Sequence, residues 1–195
     1  GPGCPWYSMY EAWGPANVKW CERTLCSVIN EPANAWSNIG FIIAGFYYWL
    51  KFRKFGRQDI AWLALSGVFM GVLSFVYHAT NNALTQYFDF LGMYIFEFFI
   101  IAINVSRLAD TDVRSLRTKY WAAVIIMSLA TPFFRMAGFP IQLLILVGAL
   151  LIVGTEVLCR IKGKAKPHQR YFWGMAGSFA AALACSILDV TRVAC

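Results

Sequence analysis

The sequence predicts an all-α fold, a polytopic membrane helix bundle that forms a single domain over residues 1–195 with six transmembrane helices. Three observations carry that expectation. The 195-residue chain is 59% hydrophobic and 14% charged, where soluble domains run at about 45–50% apolar and about 25% charged. Its apolar residues fall into six stretches, each near the ~20 residues needed to cross hydrocarbon. Its basic residues gather between alternate stretches rather than along the chain.

The six predicted spans are Trp36–Phe52, Ile60–Thr80, Gln86–Ser106, Lys119–Phe134, Phe139–Cys159 and Tyr171–Val190. They follow an outer N-terminal segment over residues 1–35. Pro32 marks a helix start ahead of the first span. The fourth is the shortest, because Pro132 and Arg135 are expected to end it. Aromatic residues such as Trp36, Trp49, Tyr87, Tyr120 and Trp173 sit at span ends, where amphipathic rings anchor at the interface.

The formal net charge of +7 becomes informative when sorted by side. Lys51, Arg53, Lys54 and Arg57 lie between spans one and two. Arg107, Arg114, Arg117 and Lys119 lie between three and four, and Arg160, Lys162, Lys164, Lys166 and Arg170 between five and six. These are 13 of the 17 basic residues, and they place those connections in the cytoplasm and the N-terminus on the non-cytoplasmic side. Short clusters alternating with apolar spans exclude nucleic acid as the partner of this charge; the partner is the bilayer. Cys4, Cys21, Cys26 and Cys195 fall on the outer side, where an oxidising compartment permits disulfides. Cys159 and Cys185 read as packing residues.

Ionisable groups within spans are costly and mark function. Ser74 and His78 are four residues apart on one face of span two, and Asp89 follows eleven residues later, past a short turn through Asn81 and Asn82. The trio admits three readings. Ser74 can be a nucleophile with His78 as base, although both on one helix make an awkward attack. His78 can ligate a metal, with Asp89 as base and Ser74 at an oxyanion. Or the three form a hydrogen-bonded knot between helices. Glu97, about two turns from Asp89, is expected to line the cavity or bond across helices. Glu156 is expected to pair with Arg160, and Asp189 with Arg192.

The spacing Ser-x3-His-x10-Asp resembles the signature of the alkaline ceramidase family, within the CREST superfamily of seven-helix membrane hydrolases. Trp20-Cys21-Glu22, the stretch Glu31-Pro-Ala-Asn34-Ala-Trp36-Ser37-Asn38 and the closing Leu188-Asp189-Val-Thr-Arg192 resemble the same family. The resemblance implies a zinc-dependent hydrolase that cleaves the amide of ceramide-like membrane lipids to a sphingoid base and a fatty acid. It makes His78 a zinc ligand, Asp89 the holder of the attacking water and Ser74 the oxyanion donor. It also implies a Cys21–Cys195 disulfide.

Two departures accompany it. The family's other two zinc ligands come from a seventh helix as His-x-x-x-His, whereas this sequence holds only His78 and His168. His168, in the basic connection on the opposite side, is expected to be a solvated loop residue. The expectation is therefore that a seventh span follows Cys195 in the natural protein. The family's calcium site would draw on Trp20, Glu22 and Glu31, but Lys19 and Thr24 replace an acidic and an amide ligand. Calcium is accordingly not expected, and Glu22 is expected to pair with Lys19 or Arg23. The competing functional reading is a non-enzymatic receptor or small transporter using the Ser/His/Asp pocket; no internal repeat of the transporter kind is visible.

Overall fold

The computed structural model describes residues 1–164 and 169–192, and among them every regular element is helical. In chain order these are α1 (Tyr7–Trp13), α2 (Pro32–Ser37), α3 (Ile39–Lys54), α4 (Gln58–Thr80), α5 (Ala83–Leu108), α6 (Arg117–Met136), α7 (Gln142–Ile161) and α8 (Gln169–Val190), with a 3₁₀ turn at Val113–Leu116. Three of them, α4, α5 and α7, are long and apolar enough to cross a membrane. Helix α5 is the hub, packing against α4, α6 and α7, while α4 also carries α2 and α3.

The first expected span begins earlier than its hydropathy suggests. Pro32 takes the first position of α2, where its missing N–H costs nothing. The helix breaks at Asn38, whose Nδ2 donates to Asn34 O at 2.9 Å, and resumes as α3. Pro132 does not end the fourth span: α6 runs through it to Met136. The Thr131 hydroxyl donates to Met127 O at 2.8 Å and is bonded to Tyr94 Oη of α5, also at 2.8 Å. The helix continues past the lost backbone donor with its neighbouring Thr131 tied across to α5.

The molecule is more polar inside than out. Buried polar residues outnumber buried apolar ones, 14 to 10, among the described residues. Meanwhile Ile126 and Leu129 of α6, Leu150 of α7 and Ile43 of α3 stand exposed. A water-soluble chain would invert this; a lipid-facing one needs no core more apolar than its surroundings. Small residues set the helix approach. A Cβ on Gly45 of α3 would lie 2.8 Å from Ala64 O, and one on Gly71 of α4 3.0 Å from Phe41 Cβ.

One end of the bundle is basic. Arg107 of α5 and Arg160 of α7 converge on Glu156 at 2.6 and 3.3 Å, the second being the expected one-turn pair. Lys164 binds Asp110 beside them.

Candidate active site

The other end of α4 is where the sequence placed its polar trio. The helix stops because Asn81 takes a left-handed conformation (φ 44°) and donates its N–H to Tyr77 O at 2.7 Å. Asn82, fully buried, then starts α5: its Oδ1 accepts from the N–H groups of Leu84 (3.1 Å) and Thr85 (3.2 Å). So short a connector makes α4 and α5 antiparallel neighbours. Asp89, two turns into α5, thereby meets the α4 face bearing Ser74 and His78. Its carboxyl comes close enough to the Ser74 hydroxyl and to His78 for both to act on it electrostatically. Asp89 is 8% exposed and His78 9%.

The N-terminal segment completes the site. The C=O groups that end a helix need partners, and those of α4 find them in Asn30 and Glu31. Glu31 N–H donates to His78 O (3.1 Å), Asn30 N–H to Ala79 O (2.9 Å) and Asn30 Nδ2 to Thr80 O (3.2 Å). This pairing delivers the Glu31 side chain, 1% exposed, to the histidine: Oε2 lies 2.7 Å from His78 Nδ1. Its Oε1 accepts from Asn81 Nδ2 at 2.6 Å. A carboxylate only accepts, so Nδ1 carries a proton, and in the neutral ring Nε2 keeps the lone pair. The His78 ring packs against Tyr77 (4.6 Å between centroids) and Trp20 (5.9 Å), and Trp20 Nε1 donates to Tyr77 Oη at 3.2 Å.

The same segment is tied to the ends of four helices. Ala83 N–H of α5 donates to Gly14 O (3.1 Å), and Asn17 N–H donates to Gln86 of the same helix (2.9 Å). Arg135 of α6 donates to Pro15 O (2.5 Å), Gln142 of α7 to Asn17 (3.1 Å), and Cys21 N–H donates to Asp189 of α8 (3.2 Å). A Cys4–Cys26 disulfide closes it upon itself.

The sequence profile of the ceramidase family matches residues 14–195. The chain belongs to the ceramidase family. No curated protein and no solved structure matches it.

In this ceramidase-family chain the expected residues divide into three groups. Ser74, His78 and Asp89 come together. Glu31, read from the sequence as a possible calcium-site remnant, is the carboxylate that holds His78. Of its companions, Trp20 also packs on His78, whereas Glu22 lies apart. Glu22 accepts from the N–H groups of Ala33 (2.7 Å) and Asn34 (2.8 Å) at the start of α2. Those donors lack helical partners and hold a carboxylate better than the exposed Lys19 and Arg23 do. Asp189 likewise bonds Cys21 N–H rather than the expected Arg192 side chain. Cys21 is disulfide-bonded, but Cys195, the other end of the expected bridge, lies outside the described residues, as does His168. Glu97 faces Gly148 of α7, whose missing Cβ leaves room for the carboxyl. Its Oε2 has no hydrogen-bond partner among the described residues.

The donor set fits one zinc ligand. A metal-binding histidine characteristically donates its other N–H to a carboxylate, and the Glu31–His78 pair has that form. A whole coordination sphere is not present: among the described residues no three His, Cys, Asp or Glu side chains form a metal-binding group.

What sequence reasoning missed is the partner of His78. The available signal was the stretch Asn30-Glu31-Pro32, an acidic residue just before a helix-starting proline at the membrane end where His78 also lies.

Proposed function

We propose that this chain is a zinc-dependent amidase of ceramide-like lipids, releasing a sphingoid base and a fatty acid. It would do so from a six-span bundle whose N-terminus is non-cytoplasmic and whose basic end faces the cytoplasm. The observation that carries the reading is the buried array Ser74–Asp89 and His78–Glu31 at one end of a membrane-type bundle belonging to the ceramidase family. His78, held by Glu31, offers Nε2 to the metal. Zinc supplies Lewis-acid polarisation and acidifies water near neutral pH.

The chain's own residues would do the rest. Asp89 orients the attacking water and takes its proton as the C–O bond forms. It then returns that proton to the nitrogen as the C–N bond breaks. The Ser74 hydroxyl, beside Asp89, donates to the oxyanion of the tetrahedral intermediate. The burial of Asp89 and His78 keeps bulk water from competing with these interactions.

The test is hydrolysis of a fluorescent ceramide by the purified full chain, with zinc measured on the same samples. Asp89→Asn should lower kcat by roughly 10²–10⁴-fold with zinc retained, and His78→Ala should lose zinc and activity together. Hydrolysis that survives both substitutions refutes the assignment. Tight ceramide binding without turnover in the zinc-loaded wild type would favour a receptor.

A further inference from the structure

A second site lies at the basic end, some 20 residues and hence ~30 Å along α4 from His78. It is a cleft of about 2050 Å³ between α4 and α6. Its floor is one face of α5, with Ile95, Phe99, Ala102 and Ser106 at helical spacing. Trp62 and Phe69 of α4 form one wall, Tyr120 and Trp121 of α6 the other. Six cationic side chains line it against three carboxylates, Asp59, Asp112 and Glu156, with Asp110 at its edge on Lys164.

Most of those cations are engaged. Arg57 pairs with Asp59, Arg107 and Arg160 share Glu156, and Lys164 binds Asp110. Arg114 and Arg117 are exposed and make no ion pair among the described residues. Arg114 lies in the 3₁₀ turn and Arg117 three residues on, where side chains of such a turn eclipse. Orienting a chain in a membrane requires only cations in its connections. It does not require two arginines outside any ion pair to share an aromatic-walled cleft.

We propose that this cleft binds an anionic membrane phospholipid, with the phosphate between the Arg114 and Arg117 guanidinium groups and the acyl chains along the α5 floor and its aromatic walls. Guanidinium matches phosphate in bidentate fashion. The apolar floor selects a lipid over a free anion. The proposal is independent of the amidase reading, because none of its residues belongs to the Ser74–His78–Asp89 end.

Native mass spectrometry of the detergent-purified full chain tests it, with phosphatidylserine, phosphatidylcholine and inorganic phosphate as separate additions. Wild type should retain phosphatidylserine well above phosphatidylcholine and be indifferent to millimolar phosphate. Arg114→Gln with Arg117→Gln should weaken phosphatidylserine retention by roughly 25-fold, about fivefold per arginine. Lys119→Gln, a charge removed outside the cleft, should leave it unchanged. Equal retention of the two lipids, an unaffected double variant, or displacement of phosphatidylserine by inorganic phosphate would each overturn the proposal.

Discussion

Replacing Glu31 by Gln changes one charge and almost no volume, and its consequences follow from the hydrogen bonds around it. The carboxylate accepts on both oxygens, from His78 Nδ1 at 2.7 Å and from Asn81 Nδ2 at 2.6 Å. A glutamine has one acceptor and one donor in those places. If its Oε1 faces Asn81, its amide N–H faces Nδ1, which must become the acceptor. The proton then moves to Nε2, the nitrogen a metal needs bare. If Oε1 faces His78 instead, two amide donors oppose each other in a nearly dry site. Losing the ionic character of the bond costs about 1 kcal/mol, and an unpaired buried donor about 1–3 kcal/mol more. Glu31→Gln should therefore destabilise the chain by about 1–4 kcal/mol, depending on the orientation taken, and weaken zinc about 10–100-fold. Unfolding in detergent and competition with a chromophoric chelator measure the two effects. NMR of histidine-labelled protein, with the His78 signals assigned by their loss in His78→Ala, reads the tautomer directly. A Glu31→Gln protein with wild-type stability, zinc affinity and tautomer would refute the claim that Glu31 sets the state of His78.

Three other outcomes are expected. Gly45→Ala should cost about 1–3 kcal/mol in unfolding, because its Cβ would press on the Ala64 carbonyl and Val68 Cγ2, both at 2.8 Å, and on the Val68 backbone nitrogen at 3.1 Å. Asn82→Ala should cost about 1–2 kcal/mol through the lost helix cap and lower activity by shifting Asp89. Asn82→Ser should be nearly neutral in the same assays, since it keeps an acceptor and removes the buried Nδ2 that has no partner. Peptide mapping without reductant should recover Cys4 linked to Cys26, and Cys4→Ser should loosen the outer segment by about 3 kcal/mol, read as faster proteolysis there.

The parts of this structure legible in sequence were those fixed by local spacing. Ser74 and His78 share a face because helices repeat as they do, and a short connector brings Asp89 to them. The Glu156–Arg160 pair follows the same rule. What sequence did not reveal depends on which distant segment supplies a partner. Pro132 reads as a helix end until Tyr94 of α5 is seen bonding the neighbouring Thr131. Glu31 and His78 are 47 residues apart, and no periodicity links an extended segment to a helix terminus. They meet because the last carbonyls of α4 need donors and Asn30–Glu31 has them. Glu22 and Asp189 have cations nearby in sequence, but backbone N–H groups at a helix start and at Cys21 are the better-held donors.

The N-terminal segment, fastened across four helix ends with Trp20 over His78, caps the pocket of the proposed amidase, and the proposal accordingly takes the bilayer as its route of supply. Turnover of an amide lipid by such a site obeys two-dimensional kinetics: its saturation is set by the mole fraction of substrate in the membrane, not by moles per litre. Adding inert phospholipid at constant total ceramide should slow the reaction, whereas diluting the same vesicles with buffer should not.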